Sequence, residues 1–114
     1  SVAAEGDFDT CIGGYTSSSM MGFVEGKFTS KQLGGSNWSR TIDPKIDEMY
    51  ANLTKILDAD KRNAAMTELC NYINEICPQV PTYGANVTRA YNDDLQGDAV
   101  SATGTLYWNA VSWN

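Results

Sequence analysis

The chain has no histidine among its 114 residues, and that absence removes two classes of chemistry. A Cys-His nucleophile pair cannot be built, and neither can a zinc site that uses imidazole. Basic residues are also scarce: eight Lys and Arg stand against fourteen Asp and Glu, a formal net charge of -6. The eight are scattered, so neither the basic patch that a nucleic acid requires nor the basic helical face that suits an anionic membrane surface is present. No run approaches the ~18 consecutive apolar residues of a spanning helix. The start, "SVAAEGDFD", shows no initiator Met, basic n-region or apolar h-region, so any targeting signal is expected to lie outside these residues. With no structural element of its own, that start also suggests a fragment.

Cysteine is sparse and odd in number: Cys11, Cys70 and Cys77. Cys70 and Cys77 fall in one helical pattern, where a rise of ~1.5 Å per residue separates them by about 10 Å. A disulfide cannot close beyond roughly 7 Å between Cα atoms. Cys11 could reach one of them only if its segment packs on that helix. The simpler expectation is three buried free thiols acting as small apolar residues. A three-cysteine metal site would lack its fourth ligand, and no metal or cofactor is expected.

What is present is enough apolar content, 42% of residues, for one soluble domain at most. In "DFDTCIGGY" (7–15), Phe8, Thr10 and Ile12 alternate with Asp7, Asp9 and Cys11, which reads as a short strand ending at Gly13-Gly14. The Ser-, Thr- and Gly-rich stretch 16–40 reads as a helical turn around residues 19–23 followed by a long loop, of the kind that is usually functional or mobile. Two amphipathic helices follow. The first, over 43–57, has Asp43 as N-cap, Pro44 in the first turn, and an apolar stripe of Ile46, Met49, Tyr50, Leu53, Ile56 and Leu57. The second is capped by Asp58, carries Ala65, Met66, Leu69, Cys70, Ile73, Ile76 and Cys77, and stops at Pro78. Their short connection predicts an antiparallel or steeply crossed pair. Beyond Pro81 the residues alternate as a strand over 82–91. It is either a plain edge strand or a crossing between lobes. The tail ends in Leu106, Tyr107, Trp108, Val111 and Trp113, which demand a surface to pack on.

The order of these features resembles the C-terminal part of the extracytoplasmic solute-binding proteins that serve ABC importers, in the oligopeptide, dipeptide and nickel class. "IDPKIDEM" (42–49) resembles that family's Asn-or-Asp, Pro, x, x, Asp helix start. "DADKR" (58–62) resembles its Asp-x-x-x-Arg helix, and "ICPQVPTYGANVTRA" (76–90) its Pro-x-x-Pro segment leading into a strand. The resemblance spans nearly all of these residues and about the last fifth of a family chain. It implies an α/β (or α+β) fold, the end of a two-lobe class II binding protein. Residues 1–81 would belong to the ligand-closing lobe, 82–91 to a hinge-crossing strand, and 92–114 to a return segment packing on the first lobe.

The function so implied is capture of an oligopeptide or similar solute outside the cell, in the periplasm or on a lipid anchor, for delivery to permease subunits. In that family the Gly-aromatic turn faces the cleft, which makes Tyr15, Thr16, Ser17, Ser18 and Trp38 the candidate ligand-binding residues. The family commonly places there an Asp that pairs with a peptide's α-amino group; Ser17, Ser18 and Ser19 stand in its place. A hydroxyl supplies no charge for an ammonium, so a neutral, internal or sugar-like ligand suits the Tyr and Trp faces better. A secreted carbohydrate-binding module is the alternative, with the two helices against it. Catalysis is not expected, although Asp7 and Asp9, two apart and so on one face of a strand, could in principle serve acid–base roles. "NWS", "NLT" and "NVT" at Asn37, Asn52 and Asn86 match the glycosylation sequon, a short pattern in an Asn- and Thr-rich chain. The acids Asp93, Asp94 and Asp98 lack the spacing of a calcium loop. An unpaired aromatic tail also predicts self-association through the C-terminus.

Overall fold

The first helix, α1 (Met20–Phe28), starts where Ser19 turns extended and its hydroxyl accepts from the Gly22 N–H at 3.1 Å, which satisfies one of the orphan donors of a first turn. In this computed structural model, residues 5–84, 90, 92–97, 105 and 107–113 are described. A 3-10 turn at Ser30–Gln32 follows α1. Next come α2 (Pro44–Leu53) and α3 (Ala59–Ile76), and β1 (Leu95–Gln96) pairs antiparallel with β2 (Ser112–Trp113), Leu95 opposite Trp113. The content is therefore mixed α and β, with the helices dominant.

Both predicted caps form. The Asp43 carboxylate accepts from the Lys45 N–H at 2.8 Å with Pro44 in the first turn, and Asp58 accepts from Lys61 at 2.9 Å. The two helices pack on each other through Ile46 and Leu53 on one side and Leu69 and Ile73 on the other, and Val24 and Phe28 of α1 complete the core. Burying four to six such side chains, each worth about 1.5–3 kcal/mol, is what holds three short helices together.

Polar ties fix the same three helices. Tyr72 of α3 donates to the Asp43 carboxylate at 2.9 Å, and Ser30 donates both its N–H, at 2.9 Å, and its hydroxyl to Asp47. Tyr50 of α2 donates to Glu25 of α1 at 3.2 Å. The Asp-Pro-x-x-Asp start of α2 thus holds its neighbours on both sides. Asp43 is pulled below the usual carboxylate range, first by the Tyr72 hydroxyl and then by the Lys45 amide, and Tyr72 is pushed up by the same bond.

Several expectations need correction. Residues 7–17 form no strand: they run as an irregular segment, with Ile12 94% exposed. Alternation alone does not make a strand where no neighbouring strand takes up the backbone hydrogen bonds. The helix expected over 43–57 ends at Leu53, and the chain turns at Thr54-Lys55 so that Asp58 can cap α3. Arg62 returns from α3 to donate to the Ile56 and Leu57 carbonyls of that turn, at 3.2 and 3.4 Å. Leu57 leaves the apolar stripe and is 94% exposed. The thiols are free, but only Cys70 is half-buried, its pKa raised by burial; Cys11 and Cys77 are exposed. Cys77 ends α3 in the left-handed region, φ 47°, a place usually taken by Gly. The strand expected over 82–91 falls largely outside the described residues, and residues 82–84 carry no strand.

Candidate functional site

The segment leading into α1 is built by serine. Ser17 donates its hydroxyl to the Ser19 carbonyl at 2.9 Å and accepts from the Ser19 N–H, while Ser19 caps the helix. These local bonds compete with continued extension and turn the chain into α1. Ser17 is therefore occupied by the turn. Thr16 and Ser18 are exposed, and their hydroxyls have no partner among the described residues.

Tyr15 and Trp38 come together around a residue not singled out from the sequence, Lys27. The Lys27 ammonium lies 4.1 Å from the Tyr15 ring centre and 3.9 Å from that of Trp38. It donates to the Ser36 carbonyl at 3.1 Å, and the residue is 3% exposed. Two aromatic faces and one carbonyl are what keep a buried ammonium tolerable. Burial lowers its pKa. Tyr15 also meets Phe23, centroids 5.7 Å apart, and remains 45% exposed. Close approach requires two glycines here. A Cβ on Gly26 would stand 2.9 Å from the Tyr15 hydroxyl, and one on Gly13 would stand 2.5 Å from the Trp38 ring.

The loop carrying Trp38 is organised by Asn37, which is 1% exposed. Its amide donates to the Thr29 and Thr41 carbonyls at 3.1 and 2.8 Å, and its oxygen accepts from Ser39 and from the Thr41 N–H. Every hydrogen-bonding position of this side chain is close to filled, so the "NWS" sequon is a structural hub whose amide is inaccessible to a glycan-transferring enzyme. Asn52 lies on exposed helix in α2, and Asn86 is outside the described residues.

The candidates thus divide. Tyr15 and Trp38 share the Lys27 ammonium as a neighbour, Thr16 and Ser18 offer free hydroxyls nearby in sequence, and Ser17 shapes the backbone. Lys27 could have been suspected, because it follows Val24 by three and precedes Phe28 on the inward side of a helix, where a charge is out of place. Asn37 carried no such signal. Among the described residues no three metal-ligating side chains gather, and no helix is long and apolar enough to cross a membrane. No family model matches the chain, and neither a known protein nor a solved structure is significantly similar to it.

Proposed function

We propose that these residues belong to the substrate-binding component of an ABC importer and contribute one side of its ligand site, for an oligopeptide or similar solute captured outside the cell and passed to the permease. The observation that carries this reading is that Tyr15 and Trp38, from separate segments and neither fully buried, both lie against the Lys27 ammonium, with the exposed Thr16 and Ser18 close to Tyr15 in sequence. Amphipathic rings with adjacent hydroxyls suit a small polar solute. The motif reading adds support: the "IDPKIDEM" start owes its pattern to two carboxylates with separate structural tasks, Asp43 toward Tyr72 and Asp47 toward Ser30. The division into a closing lobe (1–81), a hinge strand (82–91) and a return segment (92–114), and the extracytoplasmic location, go with this proposal.

A secreted carbohydrate-binding module draws on the same two rings. It gains nothing else, since paired strands among the described residues amount to the two-residue β1 and β2. The test is a thermal-shift screen of the full-length gene product against peptides and oligosaccharides. A ligand that raises Tm in the wild type and loses that effect in Tyr15→Ala and Trp38→Ala, both folded without ligand, supports the reading. A Tm rise that both variants retain would move the site elsewhere.

A further inference from the structure

Among the described residues, Lys27 is a buried cation with no anion beside it. Its one oxygen partner is the neutral Ser36 carbonyl, and its two other neighbours are the rings of Tyr15 and Trp38. The carboxylate closest in sequence, Glu25, is engaged by the Tyr50 hydroxyl and the Lys31 ammonium. Asp47 is held by Ser30. Aromatic quadrupoles stabilise an ammonium but cancel none of its net charge, so the positive field reaches the outer side of the rings.

We propose that Lys27 is the specificity-determining charge of this site: it favours solutes that present a carboxylate or other acceptor oxygens and disfavours solutes that present an ammonium. The inference rests on the reading of Tyr15 and Trp38 as solute-binding. A group stacked beyond the Tyr15 ring lies roughly 3.5–4 Å from it, and so about 8 Å from the Lys27 nitrogen. That is about one Debye length at physiological salt. With an effective dielectric between that of a protein surface and water, the sign of the solute charge there changes affinity by roughly five- to tenfold.

The test compares three probes on the full-length gene product by titration calorimetry or NMR: N-acetyl-triglycine, with a carboxylate and no ammonium; triglycine amide, with an ammonium and no carboxylate; and neutral cellobiose. The wild type should bind the acetylated acid about five- to tenfold more tightly than the amide. Lys27→Met should bring that ratio close to one, while Lys27→Arg keeps it. A structural role alone would weaken all three probes together and leave the ratio intact. Should Lys27→Met not fold, the wild-type ratio itself is followed from about 0.01 M to about 1 M salt, over which the Debye length falls from ~30 to ~3 Å. It should collapse. A ratio of one or below in the wild type, one untouched by Lys27→Met, or one indifferent to salt overturns the role of Lys27 while the binding reading stands. If none of the three probes binds, the solute-binding reading falls with it.

Discussion

Two regions of this chain hold similar apolar side chains and treat them oppositely. In the helical unit, Ile46, Leu53 and Leu69 are at most 1% exposed. In the C-terminal segment, Trp108 and Trp113 are 73% and 70% exposed, and Tyr107 is 51% exposed. Hydrophobicity does not separate the two; geometry does. On α2 and α3 the apolar residues recur at helical spacing, so each helix offers a continuous stripe and the stripes cover one another. The C-terminal residues sit on a 3-10 turn, Trp108–Ala110, and a two-residue strand, Ser112–Trp113. Neither gathers its side chains on one face, and β1 is too short to cover them. Burial needs a matching surface as well as an apolar residue.

The sharpest way to break this comparison is truncation on its buried side. Leu69→Ala or Leu53→Ala should destabilise the chain by roughly 2–5 kcal/mol, the cost of lost transfer energy and a residual cavity. Trp108→Ala should change stability by no more than about 0.5 kcal/mol, as an exposed position does. Denaturant melts read both. Equal effects at Leu69 and Trp108 would remove the distinction between the regions.

Helices α2 and α3 were legible in the sequence because caps and periodicity are local signals, whereas α1, read as a turn around residues 19–23 followed by loop, continues to Phe28. Asp43-Pro44 and Asp58 mark starts, Pro78 marks a stop, and the stripes give orientation. The shortening of α2 was not legible, since the turn at residues 54–57 depends on Arg62 reaching back from the next helix. The strand misread over 7–15 has a similar origin. Its alternation was real, but pairing is decided by whether another strand lies alongside, a non-local matter. Of the candidate site, Tyr15 and Trp38 were legible as aromatic residues in Gly- and Ser-rich segments. Lys27 offered only the hint of a charge among inward helical positions, because its meaning depends on two rings from different segments closing over it.

A second, smaller effect sharpens the comparison from the polar side. The Tyr72–Asp43 bond ties α3 to the start of α2. Asp43 has a depressed pKa in the fold, so its contribution is complete above the unfolded value of about 3.9 and is lost as pH falls through the lower folded value. Tyr72 is raised, so the same bond persists below about 10 and is lost as pH climbs through the higher folded value. Stability should therefore carry one plateau between those limits. Tyr72→Phe should bring the Asp43 titration back toward the ordinary carboxylate value and lower the plateau. NMR titration of the Asp43 carboxyl with denaturant melts at stepped pH measures both. An Asp43 that titrates near 3.9 in the wild type would mean that the bond contributes nothing to folding.

The smallest effect on stability is expected at the C-terminus, where it accompanies a change of state. Tyr107, Trp108 and Trp113 expose large aromatic surface, and burying a side chain of this kind is worth about 1.5–3 kcal/mol. Among the described residues there, the strand pairing is that of β1 with β2, Leu95 with Trp113 and Gln96 with Ser112. A pairing of two residues opens at little cost, and the same edge can be supplied by an identical chain, the usual route to exchanged dimers. The 114-residue chain should therefore self-associate in a concentration-dependent way, with Tyr107, Trp108 and Trp113 in the contact. A chain ending at Gly104 loses β2 and these aromatics together, and should be monomeric with a melt unchanged to within about 0.5 kcal/mol. Light scattering across a concentration series, beside denaturant melts, separates the outcomes. Two monodisperse monomers would show that the exposed aromatics do not drive association. A large loss of stability in the shorter chain would instead make the tail part of the fold, and the contrast between the two regions would fail with it.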